Sequence, residues 1–312
     1  MFALNFDMLG RLRNQTLEVY GVRTAAGLRR LLCEQNAGTD LTLTFDWTQR
    51  EDSDHWSFYK RRIPYLMLHT GLHEEYHRPS DDAHLINTDG LREVTALCRS
   101  TIEAVADAPS WTFRSDCSNE TNATNERLSA PLPQPTSRLG IRWDGVRAAQ
   151  GEFVLTAVIG GSPAATAGLR PGDQVMTING VAPEDTPMLR RLVLAAPADT
   201  TLTIVRQGET IEQPVRLAGA PVRVGLTWRS DAAEPGVVIV RGGVIGSPSD
   251  AAGLTAGDRI LAVDGERFAD ADAFRTAFTT AGQQPELRVE RGGRLWTTVI
   301  NLSEPQPSEP RP

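Results

Sequence analysis

A long internal repeat restricts the fold more than any other feature of this chain. The run Gly161-Ser162-Pro163-Ala164-Ala165-Thr166-Ala167-Gly168-Leu169-Arg170-Pro171-Gly172-Asp173 returns as Gly246-Ser247-Pro248-Ser249-Asp250-Ala251-Ala252-Gly253-Leu254-Thr255-Ala256-Gly257-Asp258, an offset of 85 residues. The same offset lays Leu139-Gly140-Ile141-Arg142-Trp143 on Val224-Gly225-Leu226-Thr227-Trp228, and Ile178-Asn179-Gly180 on Val263-Asp264-Gly265. Self-similarity at a fixed period means one structural unit built twice. In each unit a Ser-Pro pair opens a short helix, and Gly168 or Gly253 supplies the left-handed residue that ends it. The following Gly-Asp turns into strands at 174–178 and 259–263, and Asn179-Gly180 or Asp264-Gly265 is a tight-hairpin signal.

The part before the repeat has a different rhythm. Short apolar runs at 2–6, 17–20, 41–45 and 64–68 read as strands, and they alternate with amphipathic stretches. Residues 24–34 place Leu28, Leu31 and Leu32 on one helical face, residues 91–105 do so with Leu91, Val94, Leu97 and Ile102, and 54–60 is a shorter helix. Residues 1–106 are therefore expected to form an α/β layer structure. From 107 to 137 the sequence turns polar and Pro-rich, too poor in apolar surface to offset its ordering entropy, and is expected to be a linker. The tail 303–312, SEPQPSEPRP, has the same composition and is expected to be disordered. The repeated units span 138–218 and 222–302.

Composition narrows the partners. The net charge is −7 with Lys and Arg dispersed, so the basic footprint that nucleic acid demands is missing. No run approaches the eighteen apolar residues of a membrane span, and MFALNFDMLGR carries an acid inside the would-be apolar core of an export signal. No signal peptide is visible, so the location is left open, an extracytoplasmic one being possible if the true N-terminus is missing. Cys33, Cys98 and Cys117 are odd in number and widely spaced, which suggests neither a disulfide framework nor a thiolate metal site.

The repeated string resembles the PDZ family, in its bacterial protease-associated branch. That resemblance implies two mainly-β domains with two helices each, which bind peptides or protein C-termini. A loop before the first groove strand would offer backbone N–H groups to the terminal carboxylate while the peptide joins the sheet edge. Leu139, Gly140 and Ile141 hold the matching positions in the first copy, and Val224, Gly225 and Leu226 in the second. The opposite groove wall is expected near 187–195 and 271–279, and Trp143 and Trp228 are expected to pack on the sheet rather than meet ligand. The alternative is that the copies pack on the first domain and bind no free peptide.

All five histidines, His55, His69, His73, His77 and His84, fall within thirty residues. His73–His77 matches the H-E-x-x-H pattern of zinc endopeptidases, in which two histidines on one helical face hold zinc and the Glu polarises water. Gly71 and Pro79 flank the motif closely and oppose the long helix it needs. A larger set of motifs fits better: D-M-φ-G-R at Asp7, S-D-H-x-x-F at Ser53, I-P at Ile63, T-G-x-H-x-x-Y-H-x-P-x-D from Thr70, and I-N at Ile86. Together they resemble the C-terminal half of the co-catalytic di-zinc aminopeptidase family, which is related to glutamate carboxypeptidase and glutaminyl cyclase.

That resemblance implies a partial three-layer α/β sandwich and a metallo-exopeptidase in which water between two zinc ions attacks an N-terminal peptide bond. It implies Asp7 as ligand to one zinc and His77 as ligand to the other, meeting at the mouth of one cleft. Asp54, His55 and Asp82 would orient ligands, and His73 and Tyr76 would line the pocket. His69 and His84 are expected to be without function. The family's upstream His-x-Asp and Glu-Glu motifs, which carry the other three ligands and the general base, would precede Asp7. The chain as given, truncated by this reading, is therefore expected to retain no zinc pair and to hydrolyse no peptide. The competing reading is a non-catalytic PDZ scaffold.

Overall fold

The computed structural model describes residues 1–108 and 110–303; from residue 304 on, the expected tail lies outside the described residues. The chain folds as an α/β unit followed by two five-stranded antiparallel units. In the first, β1 (Ala3–Asp7), β2 (Thr16–Tyr20), β3 (Thr42–Asp46) and β4 (Tyr65–His69) lie in the order β1-β4-β2-β3. β1 runs parallel to β4 and β2 parallel to β3, while β2 and β4 are antiparallel. Because side chains alternate along a strand, the sheet has two unlike faces. Leu4, Phe6, Leu17, Val19, Leu43, Leu66 and Leu68 pack against Leu28 and Leu32 of α1 (Leu28–Gln35) and Val94 and Leu97 of α3 (Thr88–Asp107). The register puts Asp7, Glu18, Tyr20, Asp46, Met67 and His69 on the other face, where α2 (His55–Tyr59) covers the end nearest Tyr65 through Tyr59. Helices thus lie on both sides of the sheet.

The first helix begins four residues later than its apolar pattern suggests. Thr24 N–H closes a turn onto Gly21 O at 2.9 Å, and Gly27, at φ 83°, gives its N–H to Ala233 O of the second repeat at 2.8 Å. A tertiary bond has taken the donor that another helical turn would have used.

Residues 107–137 depart from an unstructured linker. A 3-10 turn at Ser115–Asn119 buries Cys117, and α4 (Asn122–Ser129) is capped by the Thr121 hydroxyl. Arg114 and Glu120 pair at 3.1 Å, and Glu120 also takes Arg23 at 2.6 Å. Charge pairing and backbone bonds order this segment where apolar burial is scarce.

The first repeat contains β5 (Ile141–Trp143), α5 (Gly145–Ala148), β6 (Phe153–Val158), α6 (Pro163–Thr166), β7 (Gln174–Ile178), α7 (Thr186–Ala195), β8 (Asp199–Arg206) and β9 (Glu209–Arg216). The second contains β10 (Leu226–Arg229), β11 (Val238–Gly243), α8 (Pro248–Ala251), β12 (Arg259–Val263), α9 (Ala271–Thr280), β13 (Glu286–Arg291) and β14 (Arg294–Val299). The single turn α5, capped by Asp144, is an addition of the first copy. Gly168 and Gly253 sit at φ 78° and 75°, and both residues of each Asn-Gly or Asp-Gly hairpin have positive φ. In both copies the Asp of the Gly-Asp pair takes an arginine thirty-three positions on, Asp173 with Arg206 at 2.7 Å and Asp258 with Arg291 at 2.6 Å.

The second copy is fastened to the α/β unit. Arg29 grips Glu290 with two 2.9 Å bonds, and Arg23 grips Asp231 with bonds of 3.0 and 2.9 Å. The tip of the β13–β14 hairpin caps the outer edge of β3, with Leu43 N–H on Gly292 O at 2.8 Å. A Cβ on Gly293, at φ 77°, would stand 2.4 Å from the Leu43 side chain. Only glycine lets the hairpin close over an edge that would otherwise remain unpaired.

Candidate functional site

Asp7 ends β1, and His77 lies in the turns that follow β4; both line one cavity of about 500 Å³ together with Arg11, His73, Tyr76, Asp81 and Asp82. The structure thus brings Asp7, His73, Tyr76, His77 and Asp82 together. His77 takes a left-handed backbone at φ 56° and stacks on Tyr76 with centroids 3.8 Å apart. His73 is held between carboxylates, Nδ1 lying 3.4 Å from Glu75 and Nε2 3.7 Å from Asp81. Arg11 ties the same two carboxylates, to Glu75 at 2.6 Å and Asp81 at 2.9 Å. The Glu75 carboxyl lies below its ordinary range, first through its own backbone N–H and then through Arg11 and His73.

Two of the residues expected to orient ligands, His55 and Asp54, do not line this cavity. His55 is buried against Tyr65, ring centroids 4.6 Å apart, with Nε2 3.0 Å from Arg50 O. Burial lowers its pKa despite that bond and the neighbouring acids, and the ring packs on Tyr65. Asp54 is exposed at the start of α2 and makes no capping bond. Ser53, beside them, does reach the site: its hydroxyl donates to Asp7 Oδ2 at 2.7 Å.

The H-E-x-x-H helix does not form. Residues 73–78 close as successive turns, Tyr76 N–H on His73 O and Arg78 N–H on Glu75 O, and the left-handed His77 breaks helical geometry. The reading of His73–His77 as a helical H-E-x-x-H zinc motif is thereby removed.

His69, expected to be idle, borders a second basin of about 710 Å³ on the polar sheet face, with Asp7, Glu18, Tyr20, Asp46, Asp52 and Tyr76 in its wall. Gly71 N–H donates to His69 Nδ1 at 2.8 Å, which leaves the proton on Nε2 facing Met8 Sδ at 3.2 Å. Strand pairing sets His69 beside Asp7 and Glu18 beside His69, a register that no motif in the sequence announces. Among the described residues, no group of three His, Cys, Asp or Glu side chains is placed to hold a metal ion.

In the first repeat, β5 and α7 enclose an apolar groove of about 550 Å³ lined by Leu139, Ile141, Trp143, Leu189 and Val193. Trp143 therefore faces the groove rather than only packing on the sheet. Gly140, at φ 80°, lies so close to Ser162 that a Cβ would be 2.3 Å from that side chain; Gly225 repeats this with Ser247. Each serine caps the short helix that follows, through Ala165 N–H and Asp250 N–H. The glycines are thus fixed by close packing at the mouth of the loop.

Residues 1–102 match the profile of Peptidase family M28, and residues 154–206 and 239–291 match that of the PDZ domain. The chain joins an M28 segment to two PDZ domains. It is 30% identical over 172 residues to a protein of Chlamydia trachomatis named "Probable periplasmic serine endoprotease DegP-like", an alignment covering 48% of this chain and 35% of the relative. It thus spans about a third of the length of the curated relatives it matches. Among solved structures, the LapA aminopeptidase of Legionella pneumophila aligns at 18% identity and TM-score 0.31, over 35% of this chain and 32% of that one. The HtrA3 PDZ domain bound to a phage-derived ligand aligns at 19% identity and TM-score 0.24, over 26% and 85%. No helix of the described residues is long and apolar enough to cross a membrane.

Proposed function

We propose that this chain is part of a zinc-dependent aminopeptidase, a metallo-exopeptidase acting on peptide N-termini, whose PDZ domains capture peptides or partner proteins by their C-terminal carboxylates. The observation that carries the peptidase reading is the shared cavity of Asp7 and His77, the two residues that the family resemblance makes ligands of different zinc ions. The periplasmic naming of the curated relatives supports an extracytoplasmic setting.

The described residues do not make a zinc site by themselves. Two ligands are fewer than the three or four that zinc takes from protein, and Asp7 Oδ2 already accepts the Ser53 hydroxyl. Peptide capture is the activity that this chain's own described residues support. Zinc added in excess is expected to be lost on gel filtration, as read by metal analysis. One equivalent retained by the wild type and lost in Asp7→Ala would show instead that these residues hold a metal unaided.

For capture, the test is calorimetric titration of the full chain with a peptide ending in valine. Amidating that terminus removes the charge that the Leu139-Gly140-Ile141 loop would receive, and at least about a tenfold weaker affinity is expected, roughly 1.4 kcal/mol. Equal affinity for acid and amide would refute carboxylate capture. The scaffold reading has its own support in the buried Arg29–Glu290 and Arg23–Asp231 pairs, which hold the second PDZ domain against the M28 segment. It gains if no peptide binds.

A further inference from the structure

The two PDZ grooves of this chain are filled differently. At the offset of the repeat, Trp143, Leu189 and Val193 of the first copy correspond to Trp228, Phe274 and Phe278 of the second. In the first copy the aliphatic pair on α7 leaves a groove of about 550 Å³ between helix and strand. In the second, Phe274 packs edge-on against Trp228 at 5.1 Å, while Phe268 and Phe278 lie 5.1 and 5.7 Å from Phe274. Phe274 is fully buried and Phe278 nearly so. The room that a ligand's last side chain would take between α9 and β10 is occupied by the domain's own rings, and emptying it would forfeit aromatic contacts.

The open groove is also not the work of one domain. Its wall includes Val244 and Ile245, from the loop between β11 and α8 of the second copy. That loop is held in place: Ile245 N–H donates to Gln134 Oε1 at 2.9 Å, and Gln134 Nε2 donates to Gly243 O at 2.9 Å. The next residue, Gly246, backs onto Arg190 of α7 so closely that a Cβ would stand 2.5 Å from the Arg190 Cβ. Ile245 is half exposed beside this cavity, an apolar side chain of one domain presented to the groove of the other.

We propose that the chain has a single, composite peptide site: the groove of the first PDZ domain, completed by Val244 and Ile245 of the second, for a peptide with a free C-terminal carboxylate and an apolar last residue. The apolar lining by Leu139, Ile141, Leu189 and Val193 sets that residue's chemistry. The second domain serves as wall and anchor. This inference rests on the peptide-capture reading above.

The test is titration of the full chain with a decapeptide ending in valine, followed by two variants. One peptide per chain is expected. Val193→Phe, which gives the first groove the residue of the second, is expected to weaken binding more than tenfold. Ile245→Asp, a half-exposed change outside every core cluster, leaves the fold intact and is expected to weaken binding severalfold although it lies in the other domain. Two peptides per chain, or affinity unchanged by Ile245→Asp in a chain whose circular dichroism is unaltered, overturns the composite site and leaves capture standing. No binding by the wild type overturns capture itself and the composite site with it.

Discussion

Glu290→Ala is expected to destabilise the assembled chain by about 3–5 kcal/mol, because it strands a buried guanidinium. Glu290 receives Arg29 through bonds of 2.9 Å to each of its oxygens, and Gly293 N–H at 2.7 Å. Arg259 stands 3.7 Å away and itself pairs with Glu234 at 2.7 Å. Only 2% of the Glu290 side chain and 9% of that of Arg29 meet solvent. Burial opposes the ionisation of Glu290, but Arg29 and Arg259 outweigh it and hold the carboxyl below its ordinary range. Asp231 opposite Arg23 is held at about 2, its burial likewise outweighed, there by Arg23 and Arg229. A carboxylate depressed in the folded state contributes its stability above its unfolded pKa, about 3.9 for Asp and 4.3 for Glu, and loses it as pH falls through the folded value. Urea unfolding at pH 7 and at pH 3 is the measurement. The wild type should weaken between them more than Glu290→Ala, which has lost one of the responding groups. The double replacement Arg29→Met with Glu290→Leu should recover part of the loss, since it leaves neither member of the pair as an unpaired charge but still strips the Gly293 N–H of its acceptor. A single mutant within about 0.5 kcal/mol of wild type would show that the domains do not depend on this contact.

How much of this was legible depended on whether the cause was local. The repeat gave up its turns directly: left-handed Gly168 and Gly253 and the Asn-Gly and Asp-Gly hairpins follow from the φ angles those residues tolerate. The four strands of the first unit emerged from short apolar runs, and α3 from its long amphipathic period. The interface did not emerge. Arg29, Asn36 and Gly293 look unremarkable alone, and their partners lie more than 250 positions away. The folding of 107–137 escaped for the same reason, because its order comes from Arg23 and Arg114 meeting Glu120 rather than from apolar composition. At the site, the family resemblance names together Asp7, His73, Tyr76, His77 and Asp82, which line one cavity. It could not separate His55, turned into the core, from its neighbour Ser53, whose hydroxyl meets Asp7. Which side of α2 a residue faces is decided by packing on Tyr65.

Arg138→Met should unfold the first PDZ domain selectively, with a loss of about 3–5 kcal/mol, and abolish peptide binding. Arg138 directly precedes the Leu139-Gly140-Ile141 loop and is 5% exposed. Its guanidinium donates to Val193 O at 2.7 Å, Leu194 O and Ala196 O at 2.8 Å and Ala218 O at 3.0 Å. Val193 O belongs to the last turn of α7, where carbonyls lack helical partners, while Leu194 O also accepts the Val222 N–H at 2.8 Å; α7 is the groove's helical wall. Each buried acceptor stripped of its donor costs about 1–3 kcal/mol, so a side chain of similar length without donors exposes several such costs at once. Lysine is expected to rescue poorly, since one ammonium cannot spread its donors over carbonyls on both sides of the groove's end as the planar fork does. Burial without a facing carboxylate also lowers the Arg138 pKa. The positive charge at that end of the groove is therefore offset only by carbonyl dipoles, a field that favours an incoming carboxylate. Hydrogen exchange followed across a thermal ramp and read peptide by peptide by mass spectrometry should show residues 138–218 melting early in Arg138→Met while residues 222–302 keep their transition. If both domains keep their wild-type transitions and Arg138→Met binds the valine-ended peptide as tightly as before, the guanidinium neither braces the groove nor favours its ligand.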